Sequence, residues 1–501
     1  MFEAAELGRS LSREAYRAAV PELRAELLEA QRRLRDTDTA VIVIVEGVDG
    51  VGRGEVVNRL NVWLDTRGVE THAFWEATSD QQARPRLWRY WQAMPARGSI
   101  GIFFGAWYSE PIRRHIRDEW DEARLHESLS RIRDFENMLA VDGALIVKFW
   151  FHLTRDEQKT RLKQRLKDPA SRWYRLPRGK EQATHYRRLV ETGERVIRET
   201  DSGLAPWYLI EATDRRYRDL TVGRTLLDAI RERLELAASP SLPVTVSHAP
   251  SLPPEDSARI TVLDHLDLTQ ALDKSVYKER LSLAQARLRD LAWRAKDRGV
   301  ATVLVFEGWD AAGKGGAIRR LTAGIDARLY QVVAVAAPTD EERAHHYLWR
   351  FWRHVPPRGR MTVFDRSWYG RVLVERVEGF APEDCWRRAY HEINDFEEQL
   401  AGHGIVLLKF WLHISEKEQL ARFKEREDVA YKQHKITDED WRNRQQWEAY
   451  KAAVNEMVIR TSTEFAPWTL VPANDKRYGR VAVLETVCRR LEEALRRQGP
   501  V

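Results

Sequence analysis

The feature that most constrains the fold of this chain is an internal repeat, in which two halves of the sequence correspond at a constant offset of 261 residues. The matched stretches are Glu46–Asp49 (EGVD) with Glu307–Asp310 (EGWD), Leu87–Trp91 (LWRYW) with Leu348–Trp352 (LWRFW), and Lys148–Trp150 with Lys409–Trp411, both KFW. At 501 residues the chain is also too long for one hydrophobic core. Such self-similarity indicates two copies of one domain.

A segment rich in proline and serine separates the two copies. It covers residues 238–258, and its prolines cannot continue a helix. We therefore expect a first domain at residues 1–237, a linker at 238–258 and a second domain at 259–501.

The charge balance and the cysteine content restrict the class of protein. Lys and Arg number 82 against 76 Asp and Glu, a net charge of +6, which allows a polyanionic partner without requiring one. Cys385 and Cys488 lack metal-ligand spacing and favour a reducing compartment. No apolar run has the length of a membrane span, and no secretory signal is visible. We expect a cytoplasmic protein with neither a membrane nor a nucleic-acid partner.

Strand and helix patterns alternate within each copy. In the second copy a leading helix is predicted at Tyr277–Arg298 and a buried strand at Thr302–Phe306. Further strands are predicted at Val332–Ala336, Met361–Phe364, Ile405–Leu412 and Thr469–Val471. This alternation predicts an α/β fold with a parallel sheet covered by helices, which binds ligands at the carboxyl ends of its strands.

A glycine-rich turn follows the first predicted strand of the second copy. Gly308, Gly313 and Lys314 have the G-x-x-x-x-G-K spacing of a phosphate-binding loop, and Gly315 and Gly316 follow directly. In such a loop the backbone N–H groups surround a phosphate and the lysine reaches its oxygens. We expect phosphoryl-transfer chemistry at this turn.

The metal ligands must come from outside the usual loop position. Gly315 stands where a Ser or Thr hydroxyl ordinarily binds Mg²⁺, so other oxygen ligands are required. Asp310 in the loop and Asp365 at the end of a predicted strand are the candidates, although an Asp at a strand end can also be a helix cap. Arg366 follows Asp365 and has a planar fork suited to phosphate oxygens.

A basic helix further along resembles a lid. Arg371 is a possible phosphate ligand from the turn after Arg366, and Arg422 and Arg426 lie on one face of the helix that begins near Glu416. Lys432 and Lys435 follow in a polar segment. The cluster predicts a lid that closes over phosphates, while a solvated helix face is the alternative for any single member.

The abundant tryptophans are expected to serve packing rather than base stacking, because most recur in both copies. The tryptophans concerned in the second copy are Trp349, Trp352, Trp368, Trp411, Trp441, Trp447 and Trp468.

The loop Asn474–Lys476 could contact a base or phosphate, or form an ordinary turn.

The first copy lacks groups that the chemistry needs. Arg53 replaces the loop lysine, Phe104-Gly105 replaces the metal carboxylate with its arginine, and Glu55 adds negative charge beside the anion site. A phenyl ring cannot bind Mg²⁺. We expect this domain to be catalytically inactive and to act as a structural partner or as an accessory polyanion surface formed by Arg53, Arg161 and Arg165.

Three ordered motifs resemble those of polyphosphate kinase family 2: Glu307–Gly316 (EGWDAAGKGG), Phe364–Gly370 (FDRSWYG) and Lys409–Trp411 (KFW). The resemblance implies tandem P-loop kinase-like domains with a thymidylate-kinase-like parallel sheet and a helical lid in each. It also implies Mg²⁺, with Mn²⁺ as an alternative ion, and phosphoryl transfer between inorganic polyphosphate and a nucleotide. Lys314, Asp310, Asp365 and Arg366 match the catalytic-loop and metal-site positions of that family.

The fused arrangement is similar to the subgroup that phosphorylates AMP to ADP, with GMP as a further acceptor to test. Three alternatives stay open: a polyphosphate kinase acting on nucleoside diphosphates, a nucleoside monophosphate kinase using ATP, and a nucleic-acid-binding or purely regulatory P-loop protein without catalysis. The oligomeric state is also open, including a homo-oligomer.

Overall fold

The chain divides into two compact units. The computed structural model describes residues 1–167, 180–238, 261–427 and 438–497. The first unit comprises Met1–Thr78, Arg89–Pro243 and Thr339–His346, and the second comprises Ser79–Trp88, Val244–Pro338 and Tyr347–Val501. Each unit therefore contains most of one repeat and a short segment of the other. Apart from Ala238, the predicted linker lies outside the described residues.

The first repeat contains a parallel sheet of five strands in the order β2-β3-β1-β4-β5. The strands are β1 (Val41–Gly47), β2 (Val69–Ala73), β3 (Ile100–Phe104), β4 (Leu145–His152) and β5 (Trp207–Glu211). The helices are α1 (Arg13–Leu34), α2 (Arg53–Trp63), α3 (Ser79–Gln82), α4 (Trp88–Trp91), α5 (Ser109–Ile116), α6 (Glu122–Val141), α7 (Arg155–Lys167), α8 (Lys180–Thr200) and α9 (Arg215–Ala238).

The second repeat has the same topology, with the strand order β7-β8-β6-β9-β10. Its strands are β6 (Thr302–Gly308), β7 (Tyr330–Ala334), β8 (Met361–Asp365), β9 (Val406–His413) and β10 (Trp468–Pro472). Its helices are α10 (Lys274–Asp297), α11 (Lys314–Thr322), α12 (Asp340–Arg343), α13 (Trp349–Trp352), α14 (Val374–Val377), α15 (Glu383–Gly402), α16 (Glu416–Glu427), α17 (Asp438–Gln445), α18 (Trp447–Thr461) and α19 (Lys476–Arg497). The predicted α/β class with two parallel, helix-flanked sheets is confirmed.

None of the helices in the described part of the chain combines the length and the apolar character needed to cross a bilayer.

The central strand explains why the sheet forms where it does. β6 pairs with β8 on one side and β9 on the other, and its residues Thr302–Glu307 are all buried. A parallel strand covered on both faces requires such an unbroken apolar run. The chain passes from β8 to β9 across β6, and the crevice at the carboxyl ends of β6 and β8 is where ligands bind in open parallel sheets.

The edge strand departs from the prediction by two residues. The sequence pattern placed it at Val332–Ala336, but β7 spans Tyr330–Ala334 and pairs only with β8. Val332 is 45 % exposed, so its apolar side chain did not mark a buried position. Edge strands carry a weak pattern because one side and part of one face meet solvent.

A buried ion pair accounts for the lysine of the repeated KFW motif. Lys409 donates to Glu397 at 2.7 Å, to the Tyr369 hydroxyl at 2.9 Å and to the Thr461 carbonyl at 2.6 Å. Burial lowers the pKa of Lys409 and raises the pKa of Glu397, and each charge opposes the shift of the other. The first repeat has the same arrangement around Lys148, with Glu136, Tyr108 and Thr200. The motif lysine thus joins β9 to α15 and α18 and takes no part in the crevice.

Candidate active site

The glycine-rich turn between β6 and α11 forms a tight loop whose backbone suits an anion. A Cβ atom at Gly308 (φ 149°) would lie 2.5 Å from the Leu412 carbonyl oxygen, so only glycine fits there. Gly313, at φ 108°, precedes the first residue of α11 in a left-handed conformation. The N-terminus of α11 therefore opens directly into the crevice, where its free N–H groups and helix dipole favour an anion.

Lys314 lies over this loop. Its Nζ donates to the Gly308 carbonyl at 2.6 Å and to the Trp309 carbonyl at 3.3 Å. The neighbouring Glu307 is buried and accepts from the Ser367 hydroxyl at 2.8 Å. Burial raises the pKa of Glu307, and the charge of Lys314 counteracts the rise. The lysine is thus held at the mouth of the loop by carbonyl oxygens that phosphate oxygens can replace.

Two carboxylates from different elements meet at the crevice. Asp310 accepts from Arg366 Nη2 at 3.3 Å through Oδ1 and from Asn443 Nδ2 at 2.9 Å through Oδ2. Asp365 ends β8, and its Oδ2 lies 3.9 Å from where a Cβ atom on Gly315 would be. Among the described residues, none donates a hydrogen bond to the Asp365 carboxylate. Its oxygens are therefore available to a ligand.

The residue types at this point suit a magnesium ion shared with phosphate. Within the described ranges, no group of three or more His, Cys, Asp or Glu side chains could hold a metal alone. Mg²⁺, however, is commonly bound by one or two carboxylates together with waters and substrate phosphates. Asp310 and Asp365 fit that pattern.

Arg366 has a strained backbone that fixes its direction. Its φ is 66°, a left-handed value that is rare for residues other than glycine, and its N–H donates to the Phe306 carbonyl at 3.1 Å. Ala311 in the loop has a similar φ of 62°. Strain of this kind is concentrated at functional sites, where the surrounding structure maintains it.

These residues line a common cavity of about 610 Å³. It contains Asp310, Gly313, Lys314, Gly315, Gly316, Asp365, Arg366, Arg422 and Arg426 from the sequence-predicted set. Its charged lining consists of seven basic side chains, Lys314, Arg319, Arg366, Arg422, Arg426, Lys476 and Arg480, and three acidic ones, Asp310, Asp365 and Glu425. A cavity with this excess of positive charge suits a polyanion.

Arg422 has a different role from the one its helix position suggested. Its side chain is only 3 % exposed, and its hydrogen bonds use all three guanidinium nitrogens. It donates to Glu418 at 2.6 Å, to the carbonyls of Ala311 and Ala312 at 2.9 and 3.0 Å, and to those of Ala473 and Asn474 at 2.7 Å each. A guanidinium has five N–H donors, and five bonds leave none for phosphate. Arg422 braces the loop instead.

Arg371 lies away from the cavity. Its guanidinium packs over the Tyr347 ring at 4.5 Å and forms an ion pair with Glu375 at 3.0 Å. The structure therefore does not bring this predicted phosphate ligand to the loop. Lys432 and Lys435 lie outside the described residues, as does the side chain of Arg165.

Sequence reasoning missed three residues at the cavity, Arg319, Asn443 and Arg480, whereas it named Lys476 as part of a loop that could contact a base or phosphate. Lys476 and Arg480 are four residues apart at the start of α19, a spacing that places them on one helix face. That spacing was visible in the sequence, but a helix face acquires a role only when its neighbours are known.

A second, smaller cavity adjoins the first. It shares Asp310, Lys314, Arg366 and Asn443 with the large cavity and includes Gly308, Trp411 and Tyr450. The Trp309 ring beside it stacks on Trp447 with centroids 3.7 Å apart. Most of the other tryptophans considered as stacking platforms are buried core residues: Trp349, Trp352, Trp368, Trp411 and Trp468.

Comparison with known proteins places this geometry in a family. The profile of Polyphosphate kinase 2 (PPK2) matches residues 10–237 and 271–499. A relative from Pseudomonas aeruginosa named "Polyphosphate:AMP phosphotransferase" is 50 % identical over 498 residues, 99 % of this chain and 100 % of the relative. One of the same name from Acinetobacter johnsonii is 36 % identical over 94 % of this chain and 96 % of the relative.

Other relatives match about half of this chain or less. "NDP-polyphosphate phosphotransferase 3" from Ruegeria pomeroyi is 38 % identical over 42 % of this chain and 70 % of its own length. Among solved structures, a crystal structure of a polyphosphate kinase 2 from P. aeruginosa superposes with a TM-score of 0.88 at 48 % identity and covers 99 % of both chains. The chain, which carries the phosphate-binding loop, the paired carboxylates and both repeats, belongs to the polyphosphate kinase 2 family.

Proposed function

We propose that this chain transfers the terminal phosphoryl group of inorganic polyphosphate to AMP and so produces ADP. The observation that carries the proposal is the full-length match to relatives named for that reaction, whereas those named for nucleoside diphosphates match about one repeat. The cavity in the second unit supports it, because a net excess of basic side chains surrounds two carboxylates and a loop lysine.

The chemistry requires positioning and charge neutralisation rather than a general base. An oxygen of the AMP phosphate attacks the terminal phosphorus of polyphosphate in line, the P–O bond to the next phosphate breaks, and a chain shorter by one unit leaves. A phosphate nucleophile is already anionic at neutral pH. Lys314 and Arg366 neutralise charge on the transferred group, and the N–H groups at the start of α11 orient it.

Asp310 and Asp365 would hold Mg²⁺, or Mn²⁺ as an alternative. When bound there, such an ion would neutralise charge on the phosphates. Asn443 and Arg366 keep the Asp310 carboxylate in place through its two oxygens. The free carboxylate of Asp365 faces the loop from the next strand.

The second repeat is the catalytic one in this proposal. In the first repeat the loop cation Arg53 is already paired, with Glu46 at 3.2 Å and Asp49 at 3.7 Å. Its guanidinium also lies 5.7 Å from the centroid of the Phe104 ring, which occupies the position equivalent to Asp365. A cation neutralised by its own chain has little charge left for phosphate.

A second ion pair fills the loop of the first repeat. Arg218, 1 % exposed, donates to the Val51 carbonyl at 2.7 Å and to Glu55 at 3.2 Å. A Cβ atom at Gly52 would lie 2.9 Å from the Glu55 carboxylate, so that carboxylate rests against the loop glycine. The corresponding positions in the second repeat are Gly316 and Gly479. An internal carboxylate thus takes the place that a phosphate would need.

The test is a donor and acceptor panel. Purified protein is incubated with Mg²⁺ and long-chain polyphosphate, without ATP, and separately with AMP, ADP, GMP or GDP. ADP formed from AMP is the expected product. Turnover of the diphosphates alone would favour the diphosphate-kinase alternative, and phosphorylation of AMP by ATP but not by polyphosphate would favour an ATP-dependent kinase. No nucleotide product with either donor would favour a regulatory role.

A further inference from the structure

One basic side chain at the large cavity has no partner to explain its position. Arg480 lies one helical turn after Lys476 on α19, and both line the cavity. Within the described part of the chain, the Arg480 guanidinium makes no hydrogen bond or ion pair. It lies over the loop, since a Cβ atom at Gly316 would be 3.3 Å from Arg480 Nη2. A guanidinium held beside a phosphate loop without a carboxylate suits an anionic ligand.

In the first repeat, the positions equivalent to Arg480 and Gly316 carry different side chains, which pair with a neighbouring arginine. The residue equivalent to Arg480 is Asp219, which accepts from Arg218 at 2.8 Å. The residue equivalent to Gly316 is Glu55, the other partner of Arg218. Both positions therefore bear carboxylates in the repeat proposed to be inactive, and an arginine and a glycine in the other.

The two cavities of the second unit indicate which substrate lies beside Arg480. Asp310, Lys314 and Arg366 line both cavities, so the reacting groups belong at their junction. Lys476 and Arg480 line only the large, cationic cavity. AMP has a single phosphate, whereas the donor is a chain of phosphates that continues past the junction. Cations that line the large cavity beyond the junction of the two cavities therefore suit the polyphosphate donor.

We propose that Arg480 binds phosphate groups of the polyphosphate donor next to the one that is transferred. The neighbouring Lys476 is already paired with Glu425 at 3.1 Å. The assignment rests on the proposed function. It makes Arg480 a donor-binding residue that distinguishes a chain of phosphates from a single nucleotide phosphate.

Equilibrium binding of long-chain polyphosphate to the full-length protein, measured by titration calorimetry, tests this directly. Arg480→Ala is expected to raise Kd about tenfold, the loss of one charge-assisted contact, and Arg480→Lys by less. Arg489→Ala, an exposed arginine on the same helix away from the cavity, is the matched control and should bind as the wild type does. Unchanged thermal unfolding would show that Arg480→Ala is folded.

Steady-state rates provide the second readout. The KM for polyphosphate should rise in Arg480→Ala while the KM for AMP stays within about twofold. A raised KM for AMP with unchanged polyphosphate binding would assign Arg480 to the acceptor and overturn the proposal, as would wild-type affinity for polyphosphate in Arg480→Ala. Absence of ADP production by a wild-type protein that binds polyphosphate would refute the proposed function and leave the binding result to decide the role of Arg480.

Discussion

At the residue scale, Lys314 and Arg53 form a matched pair, because they occupy equivalent positions at the start of α11 and α2. Removal of Lys314 by substitution with Ala, or of the Asp365 charge by Asp365→Asn, should lower kcat at least about a hundredfold, the usual effect of losing one electrostatic group at a transition state. Arg53→Ala should leave kcat within about twofold. The measurement is ADP formation from AMP and polyphosphate under saturating conditions. A loss in Arg53→Ala as large as in Lys314→Ala would show that the first repeat takes part in catalysis.

Arg422 provides a second prediction at this scale, because bracing and phosphate binding have different signatures. Arg422→Ala would leave four carbonyl oxygens and Glu418 without their donor, at a cost of about 2 kcal/mol or more. We expect a lower thermal unfolding midpoint together with reduced kcat, and little recovery in Arg422→Lys, because an ammonium has three donors and no fork. Weaker polyphosphate binding with unchanged stability would instead identify Arg422 as a phosphate ligand.

The sequence predicted which central residues come together at one cavity, but it did not predict the surroundings of the outer arginines. Lys314, Asp310, Asp365 and Arg366 converge on one cavity as expected, since spacing along a strand and loop determines where such groups point. Arg422 and Arg480 are both arginines on amphipathic helices. Only the packing shows that the donors of the first are all satisfied by Glu418 and four backbone carbonyls, while the second arginine lines the cavity.

At the scale of elements, β9 links the core to the loop through its last residue. His413 is buried, and its Nδ1 accepts from the indole N–H groups of Trp309 at 3.1 Å and Trp411 at 3.3 Å, which requires a neutral imidazole. Burial lowers the pKa of His413 to about 4, and the charge of Lys451 lowers it further while Asp264 opposes the shift.

This linkage predicts a loss of stability in mild acid. The unfolded chain binds the His413 proton with the ordinary pKa near 6.5, so the contribution is complete above that pH and is lost as the pH falls towards 4, to a total of about 3 kcal/mol. Thermal unfolding midpoints of the wild type and His413→Asn should diverge above pH 6.5 and converge towards pH 4. The exposed His265→Asn is the control. Parallel pH profiles for wild type and His413→Asn would contradict the assignment.

Elements were predictable to the extent that their residues are buried on both faces. The central strand was located correctly because its continuous apolar run indicated a strand that is buried on both faces. The edge strand β7 was displaced, because its residues are half-buried or exposed and their pattern depends on tertiary packing.

At the scale of the whole molecule, each unit includes a short segment of the opposite repeat. Ser79–Trp88 belongs to the second unit, where Arg84 Nε donates to the Val355 carbonyl at 3.1 Å and the Arg358 N–H to the Ala83 carbonyl at 3.1 Å. The repeat alone could not reveal this exchange, since a constant offset is equally compatible with segments that stay in their own half.

Residues 244–501 expressed alone should therefore be less stable than the same residues in the full chain, although all proposed catalytic groups are present. The expected result is a lower thermal unfolding midpoint, with a smaller decrease for full-length Arg84→Ala. An isolated half that unfolds at the temperature of the full chain would show that Ser79–Trp88 contributes little.

The ion pairs in the loop of the first repeat determine how many substitutions would be needed to make it resemble the second. Arg218 and Asp219 form a buried ion pair, and Arg218 also pairs with the part-exposed Glu55. Replacement of Arg218 by glycine, its counterpart in the second repeat, would remove this partner from the buried Asp219, a change that typically costs several kcal/mol at buried sites. Recovery of a working site would need these changes together with those at Arg53, Phe104 and Gly105. Because these internal ion pairs depend on one another, no single substitution would restore phosphate binding to the first loop.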